Sequence, residues 1–167
     1  MEIKTLNLVQ FRNYENQTFH FHPLINIIIG DNAQGKTNVL EAIYLLSSTR
    51  SFKTRVHSEM IMFDQSFARV TGHIENGTRP YDLKVVLSKE GKKAFINEKA
   101  VSRSSDYLGY FNVILFTPQD LQLIKGSPKA RRQLIDTEIS KISPIYMFNT
   151  SFGLLLLLVF TIMLCFK

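Results

Sequence analysis

The stretch Asn26-Ile27-Ile28-Ile29-Gly30-Asp31-Asn32-Ala33-Gln34-Gly35-Lys36-Thr37-Asn38 decides how this chain is read. It carries the spacing G-x-x-x-x-G-K-[ST] of a phosphate-binding loop. Residues 25–29 are a short apolar run rich in β-branched side chains, which predicts a strand buried on both faces. Gly30 and Gly35 allow backbone angles that a Cβ forbids, so amide N–H groups can turn inward around an anion. Lys36 sets a compact positive charge beside the β- and γ-phosphates. Thr37 offers its hydroxyl to Mg²⁺, a cation that takes hard oxygen ligands. Residues 38–46 predict a helix with Val39, Leu40, Ile43 and Leu46 on one face. The N-terminus of that helix points a partial positive charge at the phosphates. A plain strand, Gly-rich turn and helix would share the outline. The motif, however, demands strand before and helix after, and both patterns are present.

The remaining composition is that of a globular chain. Its 167 residues suffice for one modest domain, and 45% are hydrophobic against 20% charged. The formal net charge of +6 suits a polyanionic partner such as DNA. The single cysteine, Cys165, excludes an internal disulfide framework and fits a reducing compartment. Residues 1–4 run straight into a strand pattern without an apolar h-region, so no signal peptide is expected.

Outward from the loop, residues 3–11 read as a strand and Arg12-Asn13-Tyr14 as a polar turn. Residues 18–22 resume alternation, with Phe19 and Phe21 on one face and His20 and His22 on the other. Two histidines at i, i+2 are a partial metal-ligand set. Nothing is placed to complete it, so a solvated strand face is the expectation. After the first helix, Ser47-Ser48-Thr49-Arg50-Ser51-Phe52-Lys53-Thr54-Arg55 is polar and basic. It is either a solvated loop or one that carries a cation toward a triphosphate or toward DNA.

Residues 67–74, 81–87 and 92–96 predict strands. Glu75-Asn76-Gly77-Thr78 marks one turn and Asn97-Glu98 another, so an antiparallel meander is expected. Residues 102–111 predict a short helix and residues 113–116 a buried strand. Thr117-Pro118 and Ser127-Pro128 each read as N-cap and first position of a further helix. Lys129, Arg131 and Arg132 crowd the first turns of the second one. Cations there oppose the helix dipole. A phosphate partner, an acidic neighbour such as Asp136, or simple solvation would each account for them.

Residues 152–166 are almost wholly apolar and include five consecutive leucines, Leu154 to Leu158. As a helix they would span roughly 22 Å, short of the ~30 Å hydrocarbon core. A tail anchor built on them is marginal.

Several blocks in order resemble the N-terminal part of the RecF family, bacterial recombination and replication-repair ATPases related to SMC and Rad50 head domains. The blocks are residues 8–14 (LVQFRNY), 29–43 (IGDNAQGKTNVLEAI), 50–53 (RSFK), 116–121 (FTPQDL) and 125–132 (KGSPKARR). The likeness covers residues 1–146. The family pattern continues the last block as Arg-Phe-Leu-Asp, where this chain has Gln133-Leu134-Ile135-Asp136. The resemblance implies an α/β P-loop NTPase of the ABC-ATPase head type, incomplete here, with an antiparallel β subdomain. It implies binding of ATP and Mg²⁺ by Gly30, Asp31, Asn32, Ala33, Gln34, Gly35, Lys36 and Thr37, with Thr37 on the metal. Arg12 and Arg50 resemble positions that approach nucleotide, and Gln119 lies near where the Q-loop would fall. The resemblance also implies binding to single-stranded and gapped DNA, ATP-dependent homodimerisation, and partnership with RecO and RecR. A cytoplasmic location and a tie to the SOS response go with it. Lys53, Arg55, Lys129, Arg131 and Arg132 are the candidate DNA-binding cations.

Past residue 146 the chain departs from the family. The family continues with a helical arm, a signature motif and an acidic Walker B strand, and this sequence contains none of them. Residues 147–167 are therefore expected to be an unrelated apolar tail, from a frameshift or truncation. Hydrolysis of ATP is expected to be slight, because two heads normally sandwich the nucleotide between phosphate loop and signature motif. The competing expectation is a membrane-tethered nucleotide-binding module without a DNA role; a third is a P-loop ATPase unconnected with DNA.

Overall fold

The computed structural model describes residues 1–77, 79–117 and Arg132. The chain divides into two units, Met1–Ile114 and Leu115–Lys167. All the elements below belong to the first.

Six strands form one antiparallel sheet in the order β2-β1-β3-β4-β5-β6. They are β1 (Glu2–Phe11), β2 (Tyr14–His20), β3 (Phe67–Asn76), β4 (Arg79–Ser88), β5 (Gly91–Ile96) and β6 (Lys99–Val101). The alternation expected from the sequence sets the faces. Leu6 and Leu8 of β1, Ala68, Val70 and Ile74 of β3, and Leu83, Val85 and Leu87 of β4 are fully buried on one side. Helix α1 (Lys36–Ser48) covers that side. It crosses the sheet over Gly72, where an added Cβ would lie 2.6 Å from Leu46 Cδ1.

The turns follow their chemistry. Asn97 and Glu98, between β5 and β6, have φ of 46° and 65°, as a two-residue hairpin with matched twist requires. Asn97 also clamps β4, its side-chain oxygen accepting from the Asp82 N–H at 2.9 Å. Arg12 takes φ 55° in the turn between β1 and β2. A 3-10 turn, His57–Met60, docks on that corner: the Arg12 N–H donates to the Met60 carbonyl at 2.9 Å, and the Met62 N–H to the Gln10 carbonyl at 2.7 Å.

Several expectations are corrected. Residues 25–29 form no strand; Ile27 and Ile29 are 78% and 87% exposed. Residues 113–116 likewise form none, and Ile114 is 96% exposed. Both runs have the composition of buried strands, but a strand forms only where a neighbour's N–H and C=O groups can pair with it. Among the described residues every strand is already used in the antiparallel sheet. In α1 the buried apolar residues are Val39, Ala42, Leu45 and Leu46, whereas Leu40 is exposed. The predicted helix over residues 102–111 shrinks to α2, Ser104–Tyr107, and Gly109 follows it with φ 95°. The helices expected after Thr117 and Ser127, together with Gln119, Lys129, Arg131 and the apolar tail, lie outside the described residues. Among the described residues no helix is long and apolar enough to cross a membrane.

Candidate nucleotide-binding site

The phosphate-loop residues lie between the exposed run and α1. Gly35 takes φ 96° and occupies the N-cap position, followed directly by Lys36 as the first helical residue. Ala33 also takes a left-handed φ, 67°, uncommon for a residue with a Cβ. These angles fold the chain back from residue 31 to residue 34, where the Gln34 N–H donates to the Asp31 carbonyl at 3.4 Å. The helix opens with the Asn38 and Val39 N–H groups donating to the Gly35 carbonyl at 2.7 and 3.2 Å. The N–H groups of Lys36 and Thr37 precede the first intrahelical bonds, so they remain available to an anion. No side chain caps this helix and no acidic residue lies in its first turn. Its positive end is therefore not neutralised locally.

Lys36 reaches back across the loop, and its ammonium donates to the carbonyls of Gly30 and Asp31, each at 2.6 Å. Thr37 is exposed. This donor set fits a triphosphate with Mg²⁺: backbone N–H groups and one ammonium for the phosphate oxygens, and one hydroxyl for the metal. The bound nucleotide would supply the phosphoanhydride, and the metal would neutralise its oxygens.

Behind the loop stands a polar network that motif spacing did not reveal. Glu41, on α1, is fully buried. Arg12 grips it with two prongs, Nε to Oε2 at 2.9 Å and Nη2 to Oε1 at 2.7 Å. The third prong, Nη1, donates to the Glu59 carbonyl at 2.5 Å. The Ser51 hydroxyl donates to Glu41 Oε1 at 2.5 Å, and the Lys53 ammonium stands 3.6 Å from Oε2. Burial alone would raise the Glu41 pKa. The hydrogen bonds from Arg12 and Ser51, with the charges of Arg12 and Lys53, outweigh it and hold the carboxyl below its ordinary value. A signal was present in the sequence: Glu41 interrupts the apolar stripe of α1, and a buried carboxylate needs a cation.

The candidate cations thus separate. Arg12 is committed to Glu41 and the 3-10 turn. Lys53, itself exposed, is engaged at the site, its ammonium donating to Asn38 Oδ1 at 2.6 Å. Arg50, Arg55 and Arg132 are exposed. Arg50 lies close enough to Lys92 that its charge, after burial, helps to lower the Lys92 pKa. Lys92 caps the far end of α1, donating to the Thr49 carbonyl at 2.5 Å and to its hydroxyl at 3.0 Å. His20 and His22 gain no further ligands, and no metal-ligating cluster occurs among the described residues.

Residues 2–141 match the RecF/RecN/SMC N terminal domain. The chain is 47% identical over 147 residues to the DNA replication and repair protein RecF of Halalkalibacterium halodurans, covering 88% of this chain and 40% of that protein. To the protein of the same name from Streptococcus gordonii it is 46% identical over 151 residues, covering 90% and 42%. It is similar to a solved structure of the recombination mediator protein RecF with ATP in the RecFOR pathway. That match has a TM-score of 0.81 and 34% identity over 89% of this chain and 42% of the other. The SMC head domain of Thermotoga maritima shares the fold, with a TM-score of 0.54 and 22% identity over 64% of this chain and 40% of the other. The chain spans about two fifths of the length of the relatives it matches.

Proposed function

As the chain belongs to the RecF/RecN/SMC N-terminal domain family, as a RecF-like member, we propose that it binds ATP with Mg²⁺ through residues 30–37, in the service of DNA replication and repair. One observation carries the reading. A left-handed Gly35 opens α1 directly onto Lys36 and Thr37, leaving uncapped amides, an ammonium and a hydroxyl together. The similar RecF structure with ATP supports the choice of nucleotide. Thr37 is the proposed Mg²⁺ ligand. Arg12 acts from behind the loop through Glu41; Arg50, which follows the far end of α1 beside Lys92, and Gln119 are proposed on family resemblance alone.

The proposed nucleic-acid partner is single-stranded or gapped DNA; the candidate cations are exposed Arg55 in the first unit and, on the resemblance, Lys129, Arg131 and Arg132 in the second. Lys53 was a candidate for the same role, but its contacts to Asn38 and Glu41 suit a place in the nucleotide site better. Action with RecO and RecR, an ATP-dependent homodimer, a cytoplasmic location and a link to the SOS response belong to the same proposal. Residues 1–146 act as the phosphate-loop part of an ATPase head and 147–167 as a segment foreign to it.

The test is binding of Mg²⁺-ATP by the 167-residue chain and by its Lys36→Ala variant. Wild-type binding that the substitution weakens at least tenfold supports the reading. Equal binding, or none by a folded wild type, overturns it. The DNA part is tested with a gapped duplex at rising salt. Phosphate contacts release counterions, so affinity falls steeply; salt-insensitive or absent binding removes DNA from the proposal.

A further inference from the structure

Asn13 lies outside the phosphate loop, in the turn between β1 and β2, yet it holds the loop from behind. Its Nδ2 donates to the Gln34 carbonyl at 3.3 Å, and its Oδ1 accepts from Asn38 Nδ2 at 2.9 Å. Asn38 Oδ1 in turn accepts from the Lys53 ammonium at 2.6 Å. The direction of this chain is forced from one end. An ammonium can only donate, so Asn38 must present its oxygen to Lys53 and its NH₂ to Asn13. Asn13 must then accept with its oxygen, which leaves its NH₂ for the Gln34 carbonyl.

The consequence falls on one peptide. The Gln34–Gly35 unit is planar and trans, so its C=O and N–H point in opposite directions. With the Gln34 carbonyl held toward Asn13, the Gly35 N–H faces the other way, off the turn that backs the loop. Packing enforces the approach. Gly35 is buried, and a Cβ added there would lie 2.6 Å from Asn13 Nδ2 and 2.9 Å from the Tyr14 hydroxyl.

We propose that Asn13 is a positioning residue of the nucleotide site: it orients the Gln34–Gly35 peptide so that the Gly35 N–H serves the phosphates. Lys53, acting through Asn38, fixes the orientation of Asn13. The inference rests on the nucleotide-binding reading and extends it to a residue outside the motif. The role also connects the loop to the buried Glu41, which stands 3.6 Å from the same ammonium.

The test is the Mg²⁺-ATP affinity of the 167-residue chain as Asn13→Ala, Asn38→Ala and the double variant, with thermal unfolding followed alongside. Asn13→Ala is expected to weaken binding roughly five- to tenfold, as for one lost hydrogen bond. The double variant is expected to be no weaker than Asn13→Ala, because Asn38 acts only through Asn13; independent structural effects would instead add. Asn13→Asp places an oxygen against the Gln34 carbonyl while it still accepts from Asn38, and is expected to bind no better than Asn13→Ala. Should Asn13→Ala not fold, Asn13→Asp and Asn38→Ala carry the test. Wild-type affinity in the folded Asn13 variants, or losses that simply add, would overturn the inference and leave the nucleotide reading standing. A folded wild type that binds no ATP overturns that reading, and the inference with it.

Discussion

Arg12 and Glu41 lie 29 positions apart in the chain and meet as a two-pronged ion pair, 2.9 and 2.7 Å, with the carboxylate fully buried. One residue comes from the first turn and the other from the helix that follows the phosphate loop. Their pairing ties sheet, helix and loop together. Removing one member leaves the other charge buried without its partner, and such losses cost about 3–5 kcal/mol. Arg12→Met is expected to destabilise the chain by roughly the lower end of that range, since Ser51 and Lys53 still face Glu41. Glu41→Gln should cost less than Arg12→Met, because an amide keeps one acceptor for the guanidinium and brings no buried charge. Chemical denaturation reads both; equal and negligible losses would mean that the pair does not anchor the helix.

The same pair gives stability a sign against pH. Glu41 is held below its ordinary 4.5 in the folded chain, so the folded state binds its proton more weakly than the unfolded state does. Its contribution is complete above about pH 4.5 and is lost as pH falls through the lowered value. His57 acts in the same direction: burial, then the charge of Lys92, lower its pKa from 6.5. Its share is complete above about pH 6.5 and declines as pH falls. Midpoints of urea unfolding should therefore drop in two stages on acidification. In Glu41→Gln the lower stage should shrink while the upper one persists.

Gly72 is required by contact rather than by backbone angle. A methyl group there would meet Leu46 Cδ1 at 2.6 Å, where α1 rests on β3. Gly72→Ala is expected to cost about 1–3 kcal/mol through forced repacking. Gly72→Ala combined with Leu46→Ala should lose less than the two changes summed, because the smaller side chain makes room for the methyl. Additive losses would show that the helix does not press on this position.

The fold was legible where a pattern is self-contained. Alternation over β3 and β4 and the Asn97-Glu98 turn state their own pairing, since each hairpin partner lies next in the chain. The spacing of residues 30–37 carries the proposed phosphate-binding chemistry. Three things were not legible. One is which cations find partners: Lys53 and Arg55 are both exposed and alike in sequence, and only the position of Glu41 and Asn38 gives Lys53 its contacts. Another is what covers an apolar run. Residues 25–29 show fitness for burial, but periodicity carries no information on where a neighbouring strand would come from. Asn13 escaped for a third reason: its role depends on the carbonyl of a residue 21 positions away.

The exposed run gives the remaining prediction. Leu24, Ile25, Ile27 and Ile29 are each at least three-quarters exposed, and no strand of the sheet pairs with them. An unpaired apolar segment next to an ordered sheet is a template for association between copies. Ile27→Lys removes apolar surface that is already in water, so it should change the unfolding free energy of this chain by no more than about 0.5 kcal/mol. It should also raise the concentration at which the chain begins to self-associate, as light scattering would show. Ala42→Lys, on the buried side of α1, is the contrast and should prevent folding. If Ile27→Lys instead unfolds the chain, residues 25–29 are packed against something in solution, and the exposed arrangement is wrong.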